Sequence, residues 1–87
     1  MEQPSYHSDL GFVAALVTVG YTVVGELRRG DDGRMEFGVL IAQDSMMAFF
    51  EQFKAGDMQV DAQENAQSLK KVKRMLKIEK ENALAVA

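Results

Sequence analysis

The chain has no cysteine and a single histidine, His7. Disulfide staples are therefore excluded, and a zinc site, which needs several thiolate or imidazole ligands, has nothing to be built from. Its longest apolar stretch, Leu10 to Val19, is ten residues long. A membrane span takes about 20 such residues, so none is expected. No Gly-x-Gly-x-x-Gly stands before a helical pattern and no Walker sequence occurs, so the usual backbone cradles for nucleotide phosphates are missing. Met1 to Ser8 is polar and has no basic n-region, so no secretory signal is expected. With cysteine absent as well, the expected setting is reducing and cytoplasmic. Little remains from which to assemble an active site. The expectation is a non-enzymatic protein with no metal and no cofactor.

What is present is a folded domain. Apolar residues make up 47% of the 87, which is ordinary for a globular chain. That length is one domain, residues 1–87, with an ordered core expected at about 8–82. A chain this short buries a modest fraction of its surface and often needs disulfides, a structural metal or oligomerisation. Only the last is left here. The net charge is −3, unevenly placed: residues 1–60 carry four basic and nine acidic side chains, residues 61–87 six basic and four acidic. The basic charge is concentrated between Lys70 and Lys80.

Ser8 is placed to cap a first helix, with Asp9 at the positive end of its dipole, Leu10 to Val19 as its body and Gly20 as its stop. That helix has no polar face, so it should be buried on all sides. A strand is the competing reading of its end, because Val17 to Val24 is rich in β-branched residues. Tyr21 to Arg29 reads as a strand with Tyr21, Val23 and Leu27 on one face. Gly30-Asp31-Asp32-Gly33 suits a hairpin loop, and Arg34 to Ile41 returns with Met35, Phe37, Val39 and Ile41 as its apolar face. Glu26, Arg28, Arg34 and Glu36 fall on the polar face, where opposite charges can pair across the strands. Asp44 is placed to cap a second helix that ends at Gly56. Asp61 and Glu64 read as the capping box of a third, with Ala62, Ala66, Leu69, Val72 and Leu76 as its buried stripe, ending near Asn82 before a loose tail. The fold class is α+β, in the order α-β-β-α-α, with a two-stranded antiparallel hairpin packed on helices. Two strands alone are marginal in water, so the hairpin must lean on the helices or borrow a strand from another subunit.

Several of these segments carry a resemblance. Tyr6-His7-Ser8-Asp9-Leu10, Ala14-Ala15-Leu16, Gly20-Tyr21, Gly33-Arg34-Met35-Glu36-Phe37, and Phe53-Lys54-Ala55-Gly56 followed by Val60-Asp61-Ala62 resemble a small family of bacterial and phage proteins of unknown function. The similarity covers about residues 6–78, with Val39 where the family pattern has a second phenylalanine. It implies a phage or mobile-element setting, hence a bacterial cytoplasm, and carries no active-site residue.

Candidate sites follow from charge and surplus apolar surface. His7, beside Tyr6 and Asp9, reads as structural: a His–Asp pair could act as a general base, but no nucleophile pairs with it in the sequence and it lies near a mobile terminus. Asp31 and Asp32 fit turn chemistry better than a calcium loop, which needs alternating ligands and a terminal glutamate. Arg28, Arg29 and Arg34 cluster at the hairpin and could fork onto a phosphate or nucleotide, if neighbouring carboxylates leave them free. Lys70, Lys71, Lys73, Arg74 and Lys77 could contact nucleic-acid phosphates, or simply form a solvated face near a helix C-terminus. Met46, Met47, Phe49, Phe50 and Phe53 read mostly as core, but together with the apolar first helix they are more than a small monomer can cover, and the expected oligomer interface is Phe12, Met46, Met47 and Phe50. The expected function is an oligomeric binding protein that sequesters a partner protein or an anionic or nucleotide ligand. The alternative is a nucleic-acid-binding accessory protein that uses its basic C-terminal helix.

Overall fold

The computed structural model describes the backbone of residues 4–24 and 27–86, and side chains as far as residue 82. Within them are β1 (Ser5–His7), α1 (Leu10–Val19), β2 (Thr22–Val23), β3 (Arg28–Arg29), β4 (Met35–Leu40), α2 (Gln43–Ala55) and α3 (Ala62–Val86). The α+β class holds, but the sheet is more than a hairpin. β4 is its central strand. β2 and β3 pair along one side of it, and β1 takes the other side, all antiparallel. The second edge of the hairpin is thus filled by the chain's own N-terminal segment rather than by another subunit. Order accordingly begins ahead of residue 8. The expected continuous strand from Tyr21 to Arg29 is divided in two, with Gly25 and Glu26 between the halves and outside the described residues.

Strand parity decides what each face does. Phe37, Val39 and Ile41 point inward and are buried, as the alternation implies. Tyr21, Val23 and Leu27 pack against the same core. On the outer face Gly38 is buried without a side chain, because Val24, Tyr6 and Pro4 close over it. Gly33, at φ +84°, supplies the left-handed residue of the hairpin loop, and Gly30 N–H donates to the Arg34 carbonyl at 2.7 Å to close it.

α1 is a helix throughout, and Phe12 to Leu16 are buried in an unbroken run, but Val19 at its end is 45% exposed, so the expected burial on all sides holds only for its middle. Its N-cap is Asp9, one residue later than expected: Asp9 Oδ1 accepts from the Phe12 amide at 3.2 Å. α1 packs most extensively on α3 and also touches β1, β4 and α2, which is why it tolerates no polar face. Thr18 is the exception. Its hydroxyl lies 2.8 Å from the Ala14 carbonyl and 2.9 Å from the Ser68 hydroxyl of α3. Phe12 is the hub of the core, with the rings of His7, Phe50 and Phe53 at 5.1, 5.3 and 5.3 Å.

α2 begins after Ala42, with no side-chain cap; Asp44 lies inside its first turn, where it serves the dipole rather than capping. It ends at Gly56 in the left-handed region, with Asp57 N–H donating to the Gln52 carbonyl. α3 is capped as expected, with Asp61 Oδ2 accepting from the Glu64 amide at 2.8 Å. Its buried stripe differs. Ala62 and Ala66 are exposed, while Asn65, Ser68, Leu69, Val72, Met75 and Leu76 turn inward. The polar pair Asn65 and Ser68 is turned in because Thr18 stands opposite it. The helix continues through Val86 in place of a loose tail. Ala83, Leu84 and Ala85 are strong helix formers with no glycine or proline to stop them.

Candidate functional site

The hairpin arginines separate by parity. Arg28 lies opposite Glu36 and pairs with it, Nε to Oε1 at 2.8 Å, on the outer face. Its guanidinium also stacks 3.6 Å from the centroid of Tyr6. Both faces of its chemistry are occupied, so Arg28 is a poor candidate for a ligand. It does line a small polar hollow of about 330 Å³ with Arg29, Gly30, Asp31 and Glu36. Arg29 lies opposite Met35, on the inner-face parity. Arg34 leaves the loop beside it, its Nε 3.8 Å from an exposed Asp32 carboxylate, a contact of little strength. Asp32 is meanwhile engaged in the turn, accepting from the Arg34 amide at 3.0 Å.

Arg29 and Arg34 open onto a cleft of about 570 Å³ between the hairpin and the last turns of α3. Lys80 and Glu79 reach it from α3, and Ser8 from the turn before α1. Leu10, Met35 and Leu76 are its apolar floor. The volume is that of small-molecule sites, roughly 300–1,000 Å³. Three cations over an aliphatic floor, with a hydroxyl and one carboxylate at the rim, can hold an oxyanion by charge-assisted hydrogen bonds while covering an apolar body.

The basic run of α3 adjoins this cleft. Lys70, Lys71, Lys73, Arg74 and Lys77 are all exposed. At 100° per residue they spread over about 160° of the helix, so they do not aim at one line. Lys73 and Lys77 turn to the same flank as Lys80, and with Leu76 and Glu81 these three line a shallow groove of about 310 Å³. Leu76 and Lys80 belong to both hollows, so the groove runs into the cleft. Lys70, Lys71 and Arg74 stand apart from it.

Lys80, Leu10, Met35 and Leu76 are site residues outside the sequence-based candidates. Parity on the strand and the spacing Lys73, Leu76, Lys77, Lys80 on the helix were legible signals. Chain order does not encode that the third helix passes beside the hairpin at Leu76, Glu79 and Lys80.

His7 occupies β1 rather than a mobile approach, and a hydroxyl does pair with it: Ser5 Oγ lies 2.8 Å from Nε2. Asp9 does not orient the imidazole, since its carboxylate caps α1. Burial lowers the His7 pKa, with the nearby Glu36 charge opposing the shift. The ring stands edge-on against Phe12, away from the cleft lining. Among the described residues no group of three or more His, Asp or Glu is placed to hold a metal ion. Nor is any described helix long and apolar enough to cross a membrane.

The expected interface residues divide. Phe12 is fully buried at the centre of the core and cannot meet another molecule. Met46 is half-buried against the core, whereas Met47 and Phe50 are 51% and 37% exposed. The fold and the cleft define a small α+β domain with a cationic, aliphatic-floored hollow. Comparison with family models, curated proteins and solved structures finds no match to it.

Proposed function

We propose that the protein is a non-enzymatic binding protein that holds an anionic ligand in the cleft between the hairpin and the end of α3. The observation that carries this reading is the convergence of Arg29, Arg34 and Lys80 from three separate parts of the chain on one hollow. Such a protein acts by withdrawing its ligand rather than converting it. The resemblance of its segments to phage proteins makes sequestration of a host molecule, in a bacterial cytoplasm, the natural setting. Arg29→Glu with Arg34→Glu should cut the affinity for phosphate, pyrophosphate or AMP at least tenfold, about 1.4 kcal/mol, in titration calorimetry. Both residues are exposed, so the fold should survive the change.

Nucleic acid is the second reading, favoured by the exposed basic run and by the groove at Lys73 and Lys77. It requires duplex or single-stranded DNA or RNA to bind with steep salt dependence and to be lost in Lys73→Glu with Arg74→Glu. Retention of anion binding in that variant, with loss in the arginine variant, decides for the cleft.

The working unit in this reading is a dimer. α2 contains no buried residue, and Met47 and Phe50 present an uncovered apolar stripe. Asp44 lies in its first turn and Lys54 in its last. In an antiparallel twofold pairing centred between Met47 and Phe50, each Asp44 meets the partner's Lys54, so the surface complements itself.

A further inference from the structure

Resting on the anion-binding reading, we infer that the ligand of the cleft is an oxyanion with an aliphatic body, a medium-chain acyl carboxylate or alkyl phosphate rather than a nucleotide. The cations of the cleft and its apolar residues play different parts. Arg29, Arg34 and Lys80 bring three positive charges against the carboxylate of Glu79, with the exposed Asp32 offsetting Arg34 only weakly at 3.8 Å. A head group with one or two negative charges satisfies them. The floor is Leu10, Met35 and Leu76, three flexible aliphatic side chains, and among the described residues no aromatic ring lines the cleft. The aromatic side chains lie elsewhere: Phe50 and Phe53 of α2 each meet Phe12 of α1, Tyr21 meets Phe49, and Phe37 is fully buried. Tyr6 is covered by Arg28. A nucleobase is held chiefly by stacking on rings or on guanidinium planes. With the guanidiniums of Arg29 and Arg34 engaged by the anionic head, a base would rest on Leu10, Met35 and Leu76 alone, whereas an alkyl chain loses nothing by their shape. Methionine and leucine adapt to a chain of variable bend, and Met35 is only half-buried, so it has room to move. The cleft's volume, about 570 Å³, accommodates a body roughly six to ten carbons long.

The test is a chain-length series on the intact protein. Butyl, hexyl, octyl and decyl phosphates and the matching carboxylates are titrated below their micelle concentrations by calorimetry, beside octanol, inorganic phosphate and AMP. Affinity should rise about fourfold per added methylene until the cleft is full, the ratio set by burying each CH₂. Octanol should bind at least tenfold more weakly than octyl phosphate. Arg34→Glu with Lys80→Glu should erase that advantage while leaving octanol unchanged. The comparison of phosphates with carboxylates identifies the head. A flat chain-length profile, octanol binding as tightly as the anions, or AMP binding more tightly than every alkyl anion overturns the inference. If phosphate or AMP still binds and is lost in the arginine variant, anion binding stands without the aliphatic body. If nothing in the panel binds, both readings fall.

Discussion

His7 is a side chain whose folded surroundings oppose its charged form. On β1 its ring is half-buried against Phe12, with Ser5 at one nitrogen. Burial makes the charged form unfavourable, so the folded pKa lies below the ordinary value of 6.5 despite the pull of Glu36. The unfolded chain then binds more protons as the pH falls through 6.5, so stability should decline through that value and level off below the lowered folded pKa. Replacing His7 with Gln keeps a polar group near Ser5 and removes the titration. Urea midpoints at about pH 7.5 and about pH 5.5 should therefore fall less on acidification in the variant than in the parent, the carboxylate contributions being common to both. An equal acid loss in the two proteins contradicts this account. Arg28 and Arg29 make a related point at the same scale. They are neighbours in the chain, yet strand parity sends one to Glu36 and Tyr6 and the other to the cleft.

Among the elements, β1 matters most to the completeness of the fold. It is three residues long, and its register sets Tyr6 opposite Gly38. A β-carbon on Gly38 would come within 2.6 Å of Val24 Cγ2, 3.0 Å of Tyr6 Cε1 and 3.1 Å of Pro4 Cβ. Gly38→Ala should destabilise the protein by about 1–3 kcal/mol, as overpacking does, with β1 displaced first. Denaturant unfolding measures the loss, and amide exchange at Tyr6 and His7 should quicken more than exchange in α1. Unchanged stability with unchanged exchange would mean that the outer face has slack. The helices were easier to read than the strands. Asp61, Gly20 and Gly56 act as the sequence implies, because capping is a short-range bargain between a side chain or a left-handed glycine and nearby backbone groups. The third helix's stripe was misread at Ala62 and Ala66 because alanine fits either side of a helix. The true inward positions, Asn65 and Ser68, are polar and are recognisable only once Thr18 is known to face them.

At the scale of the whole molecule, the exposed face of α2 is the surface that bears on assembly. If two copies pair through it, light scattering at micromolar concentration should give twice the 9.7 kDa mass of the chain. Met47→Lys with Phe50→Lys should return the monomer mass without loss of helix signal. Lys54→Glu should weaken the dimer by like-charge contact with Asp44, and the exchange Asp44→Lys with Lys54→Glu should restore it. A stable monomer in the parent protein ends the proposal. The anion site is argued from one subunit alone, so its test does not depend on this result.

Local rules were enough to establish the α+β class, the three helices, the stops of the first two, the hairpin and its inward face, and the buried middle of the first helix. Each depends on periodicity or on a cap a few residues away, which chain order specifies directly. Tertiary structure alone decided that residues 5–7 would complete the sheet, that Phe12 would be the hub of the core rather than a contact surface, and that Arg29, Arg34 and Lys80 would share one cleft. The last of these depends on which way α3 runs back across α1, where the summed burial of Val72, Leu69 and Leu76 holds it against the core. No single spacing in the sequence encodes that sum. The absences noted at the outset, one histidine and no cysteine, limit the chemistry of the molecule; where its charges meet is a property of the packed chain.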